Sequence, residues 1–231
     1  MAKVITAIVV LHFVVSVLRR VFQVPVKMLP MVFTRYFYVV VHELSHLLIG
    51  LLVGCGVYDL VLKETAESSG AYITKYKSPF KILWVNFGEV FLSLAGPLLP
   101  PIVFYGFAYG IVNDLHTQIF MAIGFGLLLI VAYSSQRLYF IVGGLALVLA
   151  GGVLDTAYFT NILMVLLVWG LLGMVDELFA IRGFDNKGSD MAMFTKAILG
   201  ASHPVLSRVL YCGIQVYYLI AIGVIVQLLA A

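Results

Sequence analysis

The chain of 231 residues is 63% hydrophobic and 11% charged, with a mean hydropathy of +1.09, which excludes an ordinary soluble domain and describes a polytopic membrane protein. A net charge of +3 gives no reason to expect a nucleic-acid partner. Cys55 and Cys212 are too few for a disulfide framework and read as small apolar fillers.

Apolar runs suited to crossing a bilayer, ~20 residues for a helix, fall at 4–18, 32–54, 82–112, 117–133, 138–153, 159–178 and 205–230. They predict an all-α fold of about six to seven transmembrane helices, one integral-membrane domain over 1–231 surrounded by lipid. The first run ends in Arg19-Arg20 with no small-residue cleavage site, so it reads as a membrane helix rather than a signal peptide. His12 within it reads as a satisfied structural residue.

The second run, the helix at 32–54, contains VHELSHLL. On a helix His42 and His46 share one face, roughly 6 Å apart along the axis, so both imidazoles reach one ion. Glu43 lies about 100° round from His42, placed to act on a water rather than to ligate. Two ligands and a general base from one turn are the H-E-x-x-H pattern of zinc hydrolases. A metal also offsets the cost of burying ionisable groups; a purely structural polar cluster is the plainer alternative.

After this helix the period changes. GVYDLVLKE, TAESSG and AYITKYK alternate around a small-residue turn, which predicts one β-hairpin at 55–78. The helix at 82–112 contains AGPLLPP, whose prolines remove backbone donors and should break or kink it. A helix at 159–181 carries Asp176.

A catalytic zinc takes three protein ligands and keeps one position open. Asp176 is the first choice for the third, because the end of its helix reaches the depth of His46. Asp190 is the second choice, its plainer role being in a helix N-cap region with Ser189. Asp114 and Asp155 fall on the opposite face, and Glu89 reads as a carboxylate hydrogen-bonded between helices. Ten of the fourteen Lys and Arg lie on the face carrying the N-terminus, the hairpin and 177–204. That face, with the active site, is therefore expected to be cytoplasmic.

VVVHELSHLLIGLLVGCGV, a hairpin and a helix with AGPL together resemble the core of the site-2 protease family, the intramembrane zinc metallopeptidases. GMVDELFAIRGFDNKGSDMAMF resembles the D-D-L…S-D-A segment of a compact branch without a PDZ domain. The resemblance implies a Zn2+ protease cutting a transmembrane or membrane-associated protein substrate near the cytoplasmic face. His42 and His46 would be ligands, Glu43 the base, and Gly96 and Pro97 close to the substrate. The Pro-rich L-D-G motif of many relatives is missing, and Leu98, Leu99, Pro100 and Pro101 stand where relatives often carry Asn. An exposed strand edge containing Tyr72, Ile73 and Thr74 is expected to pair with unwound substrate, the alternative being a plain surface loop. Two other functions stay open: an inactive relative serving as scaffold or chaperone, and a small ion transporter, which an inverted repeat would favour and which shows none. Nothing in the sequence specifies the oligomeric state.

Overall fold

The computed structural model describes residues 2–21, 29–53, 57–61, 70–73, 81–82, 85–130, 141–145, 156–179 and 189–231. Among these are the helices α1 (Ala2–Val21), α2 (Leu29–Leu52), α3 (Phe87–Val112), α4 (His116–Ile130), α5 (141–145), α6 (Thr156–Leu178), α7 (Asp190–Leu199) and α8 (Pro204–Ala230). Four short strands separate α2 from α3: β1 (Val57–Val61), β2 (Gly70–Ile73), β3 (Lys81–Ile82) and β4 (Val85–Asn86).

Phe87–Val112, Thr160–Leu178 and Pro204–Ala230 are long and apolar enough to cross a membrane. Shorter apolar stretches, Lys3–Leu18 and Phe37–Gly50, lie in α1 and α2, and most of the expected segment 138–153 falls outside the described residues. Large apolar side chains point outward from several helices: Leu11 is 64% exposed, Ile102 56% and Ile220 60%. Water would penalise that surface, whereas hydrocarbon does not. The chain is an integral membrane protein.

α6 is the centre of the packing, touching α1, α2, α3, α4 and α8. Leu163, Leu167, Leu171 and Met174 are fully buried along it, a stripe at helical spacing. Gly170 lets α3 approach, since a Cβ there would lie 2.3 Å from Cε1 of Phe104. On the opposite side of the bundle Tyr38 of α2 and Tyr218 of α8 join hydroxyls at 2.5 Å, which satisfies two buried polar groups without water.

α3 remains helical through Pro97, Pro100 and Pro101. Each proline removes an in-helix donor, and neighbouring helices supply partners to such segments in membranes. Separately, the Tyr217 hydroxyl of α8 donates to Leu98 O at 3.1 Å; the carbonyls that the prolines leave without an in-helix donor are those of Ser93, Gly96 and Pro97. The helix starts at Phe87 rather than 82, because β3 and β4 pair antiparallel first, Ile82 opposite Val85; both are β-branched and favour extended backbone. β1 and β2 also pair antiparallel, Val57 opposite Ile73 and Val61 opposite Gly70, with a register shift between Val57 and Asp59. The connection at 62–69 and residues 74–80, Thr74 included, lie outside the described residues.

Candidate metal centre

The i, i+4 spacing on α2 brings Nε2 of His46 to 3.2 Å from Nε2 of His42. Both rings meet Asp190, with Oδ2 at 3.1 Å from His42 Nε2 and Oδ1 at 3.4 Å from His46 Nε2. Nδ1 of His46 donates to Leu92 O on α3 at 2.8 Å. A carbonyl only accepts, so Nδ1 carries that proton and Nε2 of the neutral ring presents a lone pair. Lone pair, imidazole and carboxylate thus converge on one point, an arrangement balanced either by a proton on an imidazole or by a metal cation among the three groups.

Tetrahedral zinc with ligands at about 2.0–2.1 Å would separate its donor atoms by roughly 3.3 Å. The observed spacings of 3.1, 3.2 and 3.4 Å, taken over both Asp190 oxygens, are of that order, and among the described residues these three form the one His, Cys, Asp or Glu group able to hold an ion. The donor set of two imidazoles and one carboxylate is that of catalytic zinc, which keeps a fourth position open. The two histidines are supported unequally: His46 has Leu92 O, while Nδ1 of His42 is buried without a hydrogen-bond partner.

Asp190 reaches the site because it opens a helix. Ser189 is the N-cap of α7, its hydroxyl accepting from Ala192 N at 3.3 Å, so capping falls to Ser189 and the Asp190 carboxylate is available for the imidazoles. The helix dipole favours a negative charge in this first turn. A polar knot fixes the other end. Thr195, fully buried, donates to Ala192 O, shares a 3.2 Å contact with the Ser207 hydroxyl, and accepts from His203 N at 3.3 Å. Ser207 in turn donates to Met191 O at 3.2 Å. α7 is thereby tied to α8 on one side and packs on α3 on the other.

Of the two aspartates weighed from the sequence, the structure brings the second choice, Asp190, to the histidines. Asp176 lies on α6 with its Oδ1 at 2.9 Å from His12 Nε2 and accepting from the Ser16 hydroxyl at 3.0 Å. The expectation that depth favours Asp176 and disfavours Asp190 is not met: the Asp176 side chain points to α1, and Asp190 reaches the histidines from the first turn of α7. His12 is accordingly a partnered structural residue. The signal that could have shown this is the i, i+4 pair His12 and Ser16, the two polar residues of the otherwise apolar stretch 7–18, in need of a buried acceptor.

Glu43 follows His42 directly and is buried at 8% exposure. Gly96, expected near the substrate, packs against the imidazoles, and Pro97 follows it on the buried side of α3. Tyr72 and Ile73 lie on β2, paired with β1. Leu92, Thr195 and Ser207 escaped sequence reasoning because a backbone carbonyl and two hydroxyls carry no motif.

A family model described as Peptidase M50B-like matches residues 3–228. No curated protein and no solved structure matches the chain. The family match runs from the start of α1 almost to the end of α8, so it takes in every element that builds the centre, and the chain belongs to the Peptidase M50B-like, site-2 protease family.

Proposed function

We propose that the protein is an intramembrane zinc metalloprotease that hydrolyses peptide bonds of transmembrane or membrane-associated proteins near the cytoplasmic face. The observation that carries this reading is the meeting of His42, His46 and Asp190 within 4.8 Å, beside the glutamate of the H-E-x-x-H turn. Family membership supports it, M50 peptidases being zinc-dependent. Zinc held by these residues would supply a Lewis acid for the scissile carbonyl and lower the pKa of a water to about 7.

The chain's own residues do the rest. Glu43 takes a proton from the attacking water and passes it to the leaving nitrogen. His46 is kept in one tautomer and one orientation by Leu92 O, and Asp190 is held rigidly by the capped, knotted α7, as a precise site requires. A helical substrate hides its peptide bonds and must unwind to be cut. The edge of the strand containing Tyr72 and Ile73 that does not pair with β1, with Thr74 next in sequence, would pair with such an extended segment.

Metal removal tests the reading. Purified protein in detergent should contain one equivalent of zinc, cleave a transmembrane peptide, lose cleavage after treatment with a chelator and regain it with added zinc. Metal-loaded protein inert on a panel of membrane peptides would favour the scaffold alternative instead, and cleavage that survives zinc removal would overturn the metal mechanism.

A further inference from the structure

We infer that Gly96 is a positioning residue of the metal centre: the missing side chain on α3 makes the space in which the two imidazoles and an ion fit. This rests on the metal reading above. A Cβ built at Gly96 would lie 2.3 Å from Nε2 of His46, 2.5 Å from Nε2 of His42 and 2.6 Å from Cε1 of His42. Comfortable contact between such atoms needs about 3.5 Å, so even a methyl group overlaps both rings by roughly 1 Å. The atoms struck are the two Nε2 atoms that face Asp190.

One helical turn earlier on the same helix, Leu92 O accepts from Nδ1 of His46 at 2.8 Å. α3 therefore meets the His46 ring at both edges. Leu92 O holds the back nitrogen, and Gly96 leaves room at the front one. Moving the ring away from a side chain at 96 pulls Nδ1 from Leu92 O and Nε2 from Asp190 together.

The nearest atoms are the far ends of side chains, not backbone. The protein can escape the overlap by rotating imidazoles, which leaves the helices in place and disperses the donors. Gly96→Ala should thus separate folding from metal binding. Alanine is the better helix former, so thermal stability of the metal-free protein should not fall. Gly106 provides the control on the same helix, because a Cβ there meets nothing within 4 Å.

The test compares wild type, Gly96→Ala and Gly106→Ala, purified in detergent, for zinc content, zinc affinity by competition with a chromophoric chelator, and the visible absorption of tetrahedral Co2+. Altering groups that orient a ligand costs 10–100-fold in metal affinity, and displacing two ligands at once should cost Gly96→Ala at least about 100-fold and abolish the tetrahedral Co2+ bands. Gly106→Ala should match wild type. Gly96→Ala with wild-type affinity and spectrum would overturn the inference, while a wild type without metal would overturn the protease reading before it. If Gly96→Ala fails to fold, the same change goes into a His42→Ala/His46→Ala background. Folding there as well as the background protein supports an imidazole clash, and continued unfolding overturns it.

Discussion

Replacing each aspartate in turn discriminates their roles. The Asp190 carboxylate uses both oxygens, 3.1 Å from His42 and 3.4 Å from His46. Asn at this position loses the charge and turns one oxygen into an amide donor facing the cation site. Loss of an orienting group costs 10–100-fold in metal affinity, and loss of a ligand should exceed that, so Asp190→Asn should weaken zinc by more than about 100-fold, or roughly 2.7 kcal/mol. At Asp176 both contacts, from His12 at 2.9 Å and Ser16 at 3.0 Å, fall on Oδ1, and Asn keeps one oxygen able to accept them. Only the charge is lost. Charged hydrogen bonds contribute about 1.5–3 kcal/mol and neutral ones about 0.5–1.5, so Asp176→Asn should cost about 1–2 kcal/mol of stability and leave zinc in place. Zinc analysis of the purified variants, with chelator competition for affinity and denaturant titration for stability, reads both effects. Metal lost from Asp176→Asn but kept in Asp190→Asn would refute the ligand set.

Glu43→Gln should keep zinc while peptide cleavage falls by about 10²–10⁴-fold, the usual contribution of a general base; cleavage at the wild-type rate would remove Glu43 from the mechanism. Thr195→Ala removes the acceptor of His203 N while the Ser207 hydroxyl keeps Met191 O, so it should cost about 0.5–1.5 kcal/mol of stability and lower zinc affinity, measured as above. Unchanged affinity would mean that α7 holds Asp190 without the knot. In a background lacking Cys55 and Cys212, cysteines at Ser69 and Lys187 should react with an impermeant reagent from the cytoplasm and one at Thr156 from the other side. Labelling of Ser69 and Thr156 from the same side would sink the topology argued from the charges.

The membrane setting and the histidine pair were legible because each depends on local rules. Hydropathy needs only composition, and the i, i+4 spacing of His42 and His46 needs only that 41–48 be helical. The late start of α3 was missed because hydropathy does not distinguish an apolar strand from an apolar helix. Ile82 and Val85 continue the apolar run while pairing as strands. Continuity of α3 across three prolines goes with its packing among α2, α6, α7 and α8, and no local rule contains that packing. The choice between Asp176 and Asp190 was likewise a question of what each helix faces.

That choice follows from matching charges within the bundle. An ionisable group inside a membrane protein persists when it faces a partner. Asp176 faces one histidine and one serine, a set that satisfies a carboxylate locally and ties α1 to α6. Asp190 faces two histidines whose ring nitrogens also face each other at 3.2 Å, and no assignment of protons makes all three contacts comfortable with both imidazoles neutral. A protonated imidazole relieves this conflict, and the proposed metal would relieve it for all three groups at once. Local satisfaction therefore marks Asp176 as structural, while Asp190 is the aspartate that the proposed metal would balance, a distinction that neither distance along the chain nor depth in the bilayer could draw.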